Sequence, residues 1–190
     1  MKMSLLNFLQ SFHKISTKDY DFLVGHFKEK SFRKGEMMVN EGEVQKEIYF
    51  INAGVQMSYY EKGNKLHVVA FTYPPNICGI PESFMLQQPA RYFLTCISDT
   101  QAYALSYAQL NSIFEQSQQI ERLFRKMTEA VLTGVIARHI ELHALSMEER
   151  FKAFTQRSPQ LLQLVPHKYI ASYLGIDPTN FSKLYNSVKI

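Results

Sequence analysis

The segment 166–184 constrains the fold most, because its punctuation specifies two short helices joined by a tight turn. Pro166 can open the first helix, and Gly175 can adopt the positive φ that ends it. Asp177 is then suited to cap a second helix that has Pro178 at its first position. This spacing is the helix-turn-helix pattern. Its predicted inner face consists of Ile170, Ala171, Leu174, Ile176, Phe181 and Leu184.

Residues 31–105 have a different punctuation, in which glycines and a Pro-Pro pair separate short runs rich in Val, Ile, Tyr and Phe. Such spacing predicts an antiparallel β-sandwich or roll. Residues 48–51 read as a buried strand, and residues 55–59 read as a strand of alternating burial. Residues 61–64 are typical of the tip of a hairpin.

The remaining segments predict helices. Residues 4–29 indicate short helices, with Ser16 and Asp19 forming a capping pair. Residues 107–145 contain no proline and have apolar residues at helical spacing, which predicts one long amphipathic helix. Ser146 and Glu149 form a capping box that starts a new helix, ending near residue 156.

Composition excludes several classes of protein. The chain has 190 residues, of which 46% are hydrophobic, so it can fill a core and is not disordered. Two cysteines, Cys78 and Cys96, are too few for a disulfide framework. Residues 1–10 are not expected to act as a signal peptide, and the longest uncharged stretch, 66–81, holds three prolines, so we do not expect it to form a membrane helix. We expect a cytoplasmic protein with no membrane partner.

The formal net charge of +4 is unevenly distributed. Residues 146–190 contain six Lys and Arg against three Asp and Glu. The C-terminal segment therefore predicts a basic module, with most of its charge placed before the second helix and available for backbone phosphates.

The order of these parts resembles the Crp/Fnr family of bacterial transcription factors (cyclic-AMP receptor protein and fumarate-nitrate regulator). The local matches are residues 34–36, 41–43, 48–51 with Gly54, 74–75 with Gly79, and 170–176. The resemblance covers nearly the whole chain and implies an α+β fold. It implies a cyclic-nucleotide-binding-like β-roll or jelly-roll sensor over 1–115, a long dimerisation helix over 116–145 and a helix-turn-helix DNA-binding domain over 146–190.

The resemblance also implies a function. Members of this family bind palindromic operators as homodimers under the control of a small-molecule effector, so the implied partners are DNA, a second copy and RNA polymerase. The alternative is a ligand-binding β-roll whose C-terminal helices dock a protein. An enzyme is disfavoured, because the sequence lacks a nucleophile elbow and a Walker-type loop.

The second predicted helix has a face that could read DNA bases. Thr179, Asn180 and Lys183 lie about one turn apart, and Asn and Lys can pair with adenine and guanine. Phosphate contacts are predicted for Lys168, Tyr169 and Ser182. The alternative is an ordinary solvated helical hairpin.

The effector site follows from the resemblance. In cyclic-nucleotide-binding members a Gly-Glu-Leu segment and an Arg followed by Ser or Thr hold the ribose and the phosphate. The corresponding residues here are Gly79, Glu82, Ser83, Arg91 and Tyr92. Only Gly79 and Arg91 match, so a ligand other than cyclic AMP, or none, is expected, and no cofactor is assigned.

The predicted dimer stripe on the long helix is made of Ile120, Phe124, Met127, Val131, Val135 and Leu142. The alternative is that the β-roll of the same chain covers this stripe. His139 and His143 have a spacing that could share a metal, but no third ligand lies near in sequence, so a surface or dimer-contact pair is favoured. Iron–sulfur binding is excluded, because it needs about four thiolates.

Overall fold

The protein is described by a computed structural model over residues 2–63 and 65–187. The helices are α1 (Lys2–Gln10), α2 (Thr17–Val24), α3 (Pro81–Leu86), α4 (Tyr107–Gln116), α5 (Gln118–Ala144), α6 (Met147–Arg157), α7 (Leu161–Leu164), α8 (His167–Leu174) and α9 (Pro178–Ser187). The strands are β1 (Lys28–Phe32), β2 (Met37–Val39), β3 (Glu47–Ala53), β4 (Gln56–Lys62), β5 (Lys65–Thr72), β6 (Asn76–Cys78), β7 (Phe93–Cys96) and β8 (Thr100–Ser106). The chain forms two compact units: residues 1–58 with 71–132, and residues 59–70 with 133–190.

The strands form two sheets, in the orders β1-β8-β3-β6 and β2-β7-β4-β5. In the first sheet β8 pairs antiparallel with β1 and with β3, and Phe50 lies opposite Tyr103. Phe50 stacks on Phe27 with ring centroids 4.7 Å apart. The hydrophobic core around Phe50 also contains buried residues of α1, α2, α4 and α5, namely Leu9, Leu23, Leu110, Ile113, Ile120, Leu123 and Met127. The predicted α+β fold with an antiparallel roll is confirmed.

Two details of the first unit differ from the prediction. Short helices were predicted as far as residue 29, but α2 ends at Val24 and strand β1 begins at Lys28. Strand β4 does not alternate in burial, because Gln56, Met57 and Ser58 are all buried in succession. The Nε2 of the buried Gln56 side chain donates to Thr100 Oγ1 at 2.8 Å.

The prediction of a single long helix over residues 107–145 is wrong, because the structure has two helices there. Ser106 caps α4 in a capping box with Gln109, α4 ends at Gln116, and α5 begins at Gln118. Ser117 between them has an extended backbone, and its hydroxyl donates to Asp19 Oδ1 at 2.7 Å. Asp19 thus provides a hydrogen-bond partner for the residue between the two helices. This contact could not be predicted from the local sequence.

The second unit follows its sequence punctuation closely. Ser146 and Glu149 form the predicted capping box of α6. Gly175 has a φ of +63° after α8, and Asp177 Oδ1 accepts from the Thr179 amide at 2.9 Å at the start of α9. Pro166 is the residue before α8 and not its first helical residue. The predicted inner face is buried, apart from the half-buried Leu184, and α3 and α7 were not predicted.

The hairpin prediction for residues 61–64 is supported by the described part of that segment. Strand β4 ends at Lys62, Gly63 has a φ of +60°, and β5 begins at Lys65. Asn64 lies outside the described residues. Over the described ranges, no helix has the length and apolar character needed to cross a membrane.

Candidate nucleic-acid interface

Helix α9 presents one exposed polar face and buries the other. Phe181 is 1% exposed and packs edge-to-face on Phe151 with ring centroids 5.5 Å apart. Thr179 and Lys183, one turn apart, are both exposed, whereas Asn180 at the edge of this face is half-buried. The buried side therefore fixes the helix, and the polar side faces outward.

Asn186 extends this face and was missed in the sequence. It is exposed and lies three residues after Lys183, which is the helical spacing that places two side chains side by side. That spacing was the available signal. We define the reading face of α9 as Thr179, Asn180, Lys183 and Asn186.

The residues predicted to contact phosphates differ in their surroundings. Lys168 is exposed near the start of α8, with Nζ 4.9 Å from the centroid of the half-buried Tyr169 ring. Ser182 is exposed on α9, beside Lys183. Lysine and hydroxyl groups of this kind can bind phosphate without reading sequence.

Two basic residues of the C-terminal segment, the half-buried Arg150 and the exposed Arg157, are bonded to other groups of the protein. Arg150 Nη1 donates to the Leu142 carbonyl at 3.0 Å, and its Nη2 donates to the Gly175 carbonyl at 3.4 Å. Arg157 Nη1 lies 2.7 Å from Glu141 Oε1. The sequence predicts that basic residues of this segment contact DNA phosphates. These two arginines instead connect α5 to α6 and to the turn before α9.

Glu141 joins two arginines at the end of α5. Its Oε2 lies 3.0 Å from Arg138 Nη1, and Arg138 also stacks over the Tyr173 ring at 4.1 Å and donates to the Tyr173 carbonyl. Hydrogen bonds from Arg157, and then from Arg138, lower the pKa of the Glu141 carboxyl below its ordinary value. The network therefore favours the charged carboxylate and stabilises the second unit.

We expect Glu141→Gln to make the stability of the second unit less dependent on pH in the acid range. Because folding lowers the pKa of this carboxyl, its contribution is present above the ordinary value of 4.5 and is lost as the pH falls below it. Urea unfolding at a series of pH values should show wild type more stable at neutral pH. The difference between the two proteins should shrink on acidification, and a constant difference would contradict this role.

The hairpin tip of β4 and β5 is attached to α8 by one side chain. Ser172 Oγ donates to the Leu66 carbonyl at 3.0 Å and accepts from the Val68 amide at 3.0 Å. Val68 itself is buried. A helical serine ordinarily bonds within its own helix, so this pair of contacts to a strand backbone is a specific connection between the hairpin and the helix-turn-helix.

We expect Ser172→Ala to loosen that connection without unfolding α8. The substitution leaves the Val68 amide and the Leu66 carbonyl without this hydroxyl, at a cost of about 1–3 kcal/mol for a buried group left unpaired. Hydrogen exchange of the Val68 amide should become about 5-fold faster or more, while α9 amides keep their protection. Unchanged exchange at Val68 would show that the contact does not hold the hairpin.

The predicted effector residues do not converge on one open site. Ser83 is fully buried, where its hydroxyl accepts from the Gln45 amide at 2.9 Å and donates to the Gln88 carbonyl at 2.7 Å. Gln45 Oε1 also accepts from the Ile80 amide at 2.6 Å. A Cβ added at Gly79 would lie 2.7 Å from Gln45 Nε2, so the Gln45 side chain occupies the space beside this glycine.

The other predicted effector residues form a separate contact. Tyr92 donates to Glu82 Oε2 at 3.3 Å, and burial, followed by the charge of Glu82, raises the pKa of the Tyr92 hydroxyl. Arg91 is exposed beside them. Glu82 thus already has a hydrogen-bond partner within the protein. Among the predicted effector residues, Arg91 is the positively charged one.

A cleft of about 370 Å³ lies beside Gln45. Its lining includes the carboxylates Glu43 and Glu47, together with Lys46 and Tyr49. Glu47 is already paired with Lys30 at 3.1 Å. Two carboxylates at its wall disfavour an anionic phosphate, so this cleft does not replace the missing phosphate site.

The predicted dimer stripe divides into two parts along α5. Ile120 and Met127 are buried in the core of the first unit, and Phe124 is half-buried against it. The later residues are exposed, Val131 by 55% and Val135 by 60%. The other large apolar residues exposed on this part of α5 are Leu132, Ile136, Ile140 and Leu142.

Comparison with known proteins identifies the domain that carries the roll. The model of the cyclic nucleotide-binding domain family matches residues 29–117. FixK2 from Bradyrhizobium japonicum is similar to the chain with a TM-score of 0.75 and 20% identity, covering 84% of this chain and 83% of FixK2. Residues 29–117 thus match the cyclic nucleotide-binding domain family and share their fold with FixK2. The resemblance found in the sequence is confirmed.

Two other solved structures share the fold over most of their length. A mutant of CooA from Carboxydothermus hydrogenoformans has a TM-score of 0.69 and 15% identity, covering 96% of this chain and 83% of CooA. The catabolite activator protein of Thermus thermophilus has a TM-score of 0.60 and 16% identity, covering 93% of this chain and 84% of its own. No curated protein sequence matches the chain.

The two thiols of the β-roll are buried. Burial raises the pKa of Cys78 to about 12, and burial also raises the pKa of the Cys96 thiol. Cys78 belongs to a core cluster of the roll, and both side chains are about 1% exposed. At neutral pH they are protonated and pack as small apolar residues.

Proposed function

We propose that the chain is a DNA-binding transcription regulator of the Crp/Fnr type that acts in the cytoplasm as a homodimer on a palindromic operator. The observation that carries this proposal is the reading face of α9, which is outward and polar while the opposite face is anchored by Phe181. Two copies supply two such helices for two half-sites. RNA polymerase is the further protein partner that the proposal includes.

We further propose that the effector is a small molecule other than cyclic AMP. Gln45 fills the space beside Gly79, Ser83 is used internally, and Glu82 is bonded to Tyr92. A cyclic phosphate would find Arg91 and few other donors. Strong thermal stabilisation by cyclic AMP that disappears in Arg91→Ala would overturn this part of the proposal, and screening with cyclic nucleotides and small metabolites is the measurement.

We expect Asn180→Ala and Lys183→Ala each to weaken specific operator binding by about 5- to 150-fold, the range of about 1–3 kcal/mol for a base contact. Operator fragments are first selected from genomic DNA by gel shift. Affinity is then measured by fluorescence anisotropy, for each variant separately. The matched control is Lys152→Ala, which removes an exposed lysine of α6. The Nζ of Lys152 lies 2.6 Å from Glu148 Oε1 on the same helix.

The same measurement separates DNA binding from docking of a protein. Phosphate contacts give an affinity that falls steeply as salt rises, with a slope of about −0.9 for each phosphate neutralised. A flat salt dependence, or full specific binding by both variants of the reading face, would contradict the proposal.

A further inference from the structure

Two histidines on α5 lie side by side on an exposed surface. The ring centroids of His139 and His143 are 4.3 Å apart, with an angle of 57° between the rings. Both side chains are exposed. Residues four apart on a helix share a face, so both imidazoles project from the same side of α5 and can bind one ion together.

The pair stands in the middle of an apolar surface. Val135 and Ile136 precede it and are 60% and 53% exposed, and Ile140 lies between the two histidines with 56% exposure. At 100° per residue, His139 lies between the directions of Val135 and Ile136. This surface, which we call the histidine face, consists of Val135, Ile136, His139, Ile140, Leu142 and His143.

The histidine face is suited to a second copy of the same chain. The fixed charges of this stretch, Arg138 and Glu141, are half-buried and engaged with Tyr173 and Arg157. The face itself therefore has no fixed charge. A two-fold interface places the same surface opposite itself, and a surface without fixed charge does so without like-charge repulsion.

We propose that His139 and His143 from two copies bind one divalent ion of the zinc class at the interface between the two α5 helices. This inference rests on the homodimer of the proposed function. Over the described residues, one chain offers no group of three or more metal-ligating side chains, and the two imidazoles are half of the four ligands that tetrahedral Zn²⁺ uses. A second copy provides four imidazoles, the number that tetrahedral Zn²⁺ uses, and imidazole suits zinc, copper and nickel.

The consequence is a dimer that responds to metal. An ion that binds only the paired histidines stabilises the dimer by mass action. It does so without entering the cyclic nucleotide-binding domain. The metal would therefore lower the protein concentration at which two reading faces are available to DNA.

The test uses the untagged full chain and ZnCl₂ as the probe. Calorimetric titration should saturate at one Zn²⁺ per two chains, and Co²⁺ in its place should give the visible absorption of a tetrahedral site. In sedimentation equilibrium, saturating Zn²⁺ should lower the dimer dissociation constant about 10-fold or more. The double variant H139Q/H143Q should lose both effects, and the control His67→Gln, at an exposed histidine of β5, should keep them.

The outcomes separate the inference from the proposed function. Binding of one Zn²⁺ per chain with an unchanged dimer dissociation constant overturns the shared site, as does equal binding by H139Q/H143Q. A chain that dimerises and binds its operator with no response to zinc overturns the metal site alone. A chain that stays monomeric at every zinc concentration overturns the homodimer as well.

Discussion

We expect Val135→Glu to dissociate the proposed homodimer while leaving each chain folded. Val135 is 60% exposed in the single chain, so its replacement removes little packing. In a dimer formed through the histidine face, the substitution would bury two carboxylates near one another. An unpaired buried charge costs about 3–5 kcal/mol, which raises the dimer dissociation constant by at least about 100-fold.

The affinity for DNA should decrease when dimerisation is lost. Two linked half-site contacts bind more tightly than either contact alone, by about 10²- to 10⁴-fold. Sedimentation equilibrium measures the first effect, and anisotropy on an operator with two half-sites measures the second. The matched control is Ala137→Glu, which adds the same charge at an exposed position about 200° around α5. A Val135→Glu protein that remains dimeric would place the interface elsewhere.

The helix-turn-helix could be predicted from sequence because its boundaries depend on local chemistry. Gly175 ends α8 through its own positive φ, and Asp177 caps α9 two residues later. Ser146 and Glu149 bond within one turn of α6. Each of these signals lies within four residues of the boundary that it sets, so no knowledge of tertiary contacts was needed.

The boundaries and sites that were missed depend on distant partners. Ser83 is occupied by Gln45, which lies 38 residues earlier, and Ser117 bonds to Asp19, which lies 98 residues earlier. Periodicity alone also could not divide the stripe of α5, because Met127 and Val135 follow the same pattern. Only the structure shows that Met127 is covered and Val135 is not.

The arginines of the second unit illustrate the same limit for electrostatics. Charge counts predicted that the basic excess would face DNA, but Arg150 and Arg157 are engaged with α5 and with the turn before α9. A count gives the number of charges and not their partners. The exposed lysines Lys168 and Lys183 are therefore the stronger candidates for contact with DNA.

We expect Phe181→Ala to unfold the helices of the second unit while the first unit remains folded. Phe181 is 1% exposed and contacts the rings of Phe151 and His167, with centroids 5.5 Å and 5.4 Å away. Truncating a buried phenylalanine costs about 3–5 kcal/mol, which is most of the stability of a small domain. The first unit has its own core around Phe50, so its unfolding should be unchanged.

Urea unfolding followed by circular dichroism should therefore resolve an early transition in Phe181→Ala that wild type lacks, and operator binding should be lost with it. The control is Ser182→Ala, an exposed neighbour on α9 whose truncation should change stability by less than about 0.5 kcal/mol. The difference between two adjacent positions isolates burial from helix propensity, since alanine is the new residue in both. A loss below about 1 kcal/mol in Phe181→Ala would mean that α9 is held by contacts other than its buried aromatic face, and the orientation of the reading face would have to come from those contacts.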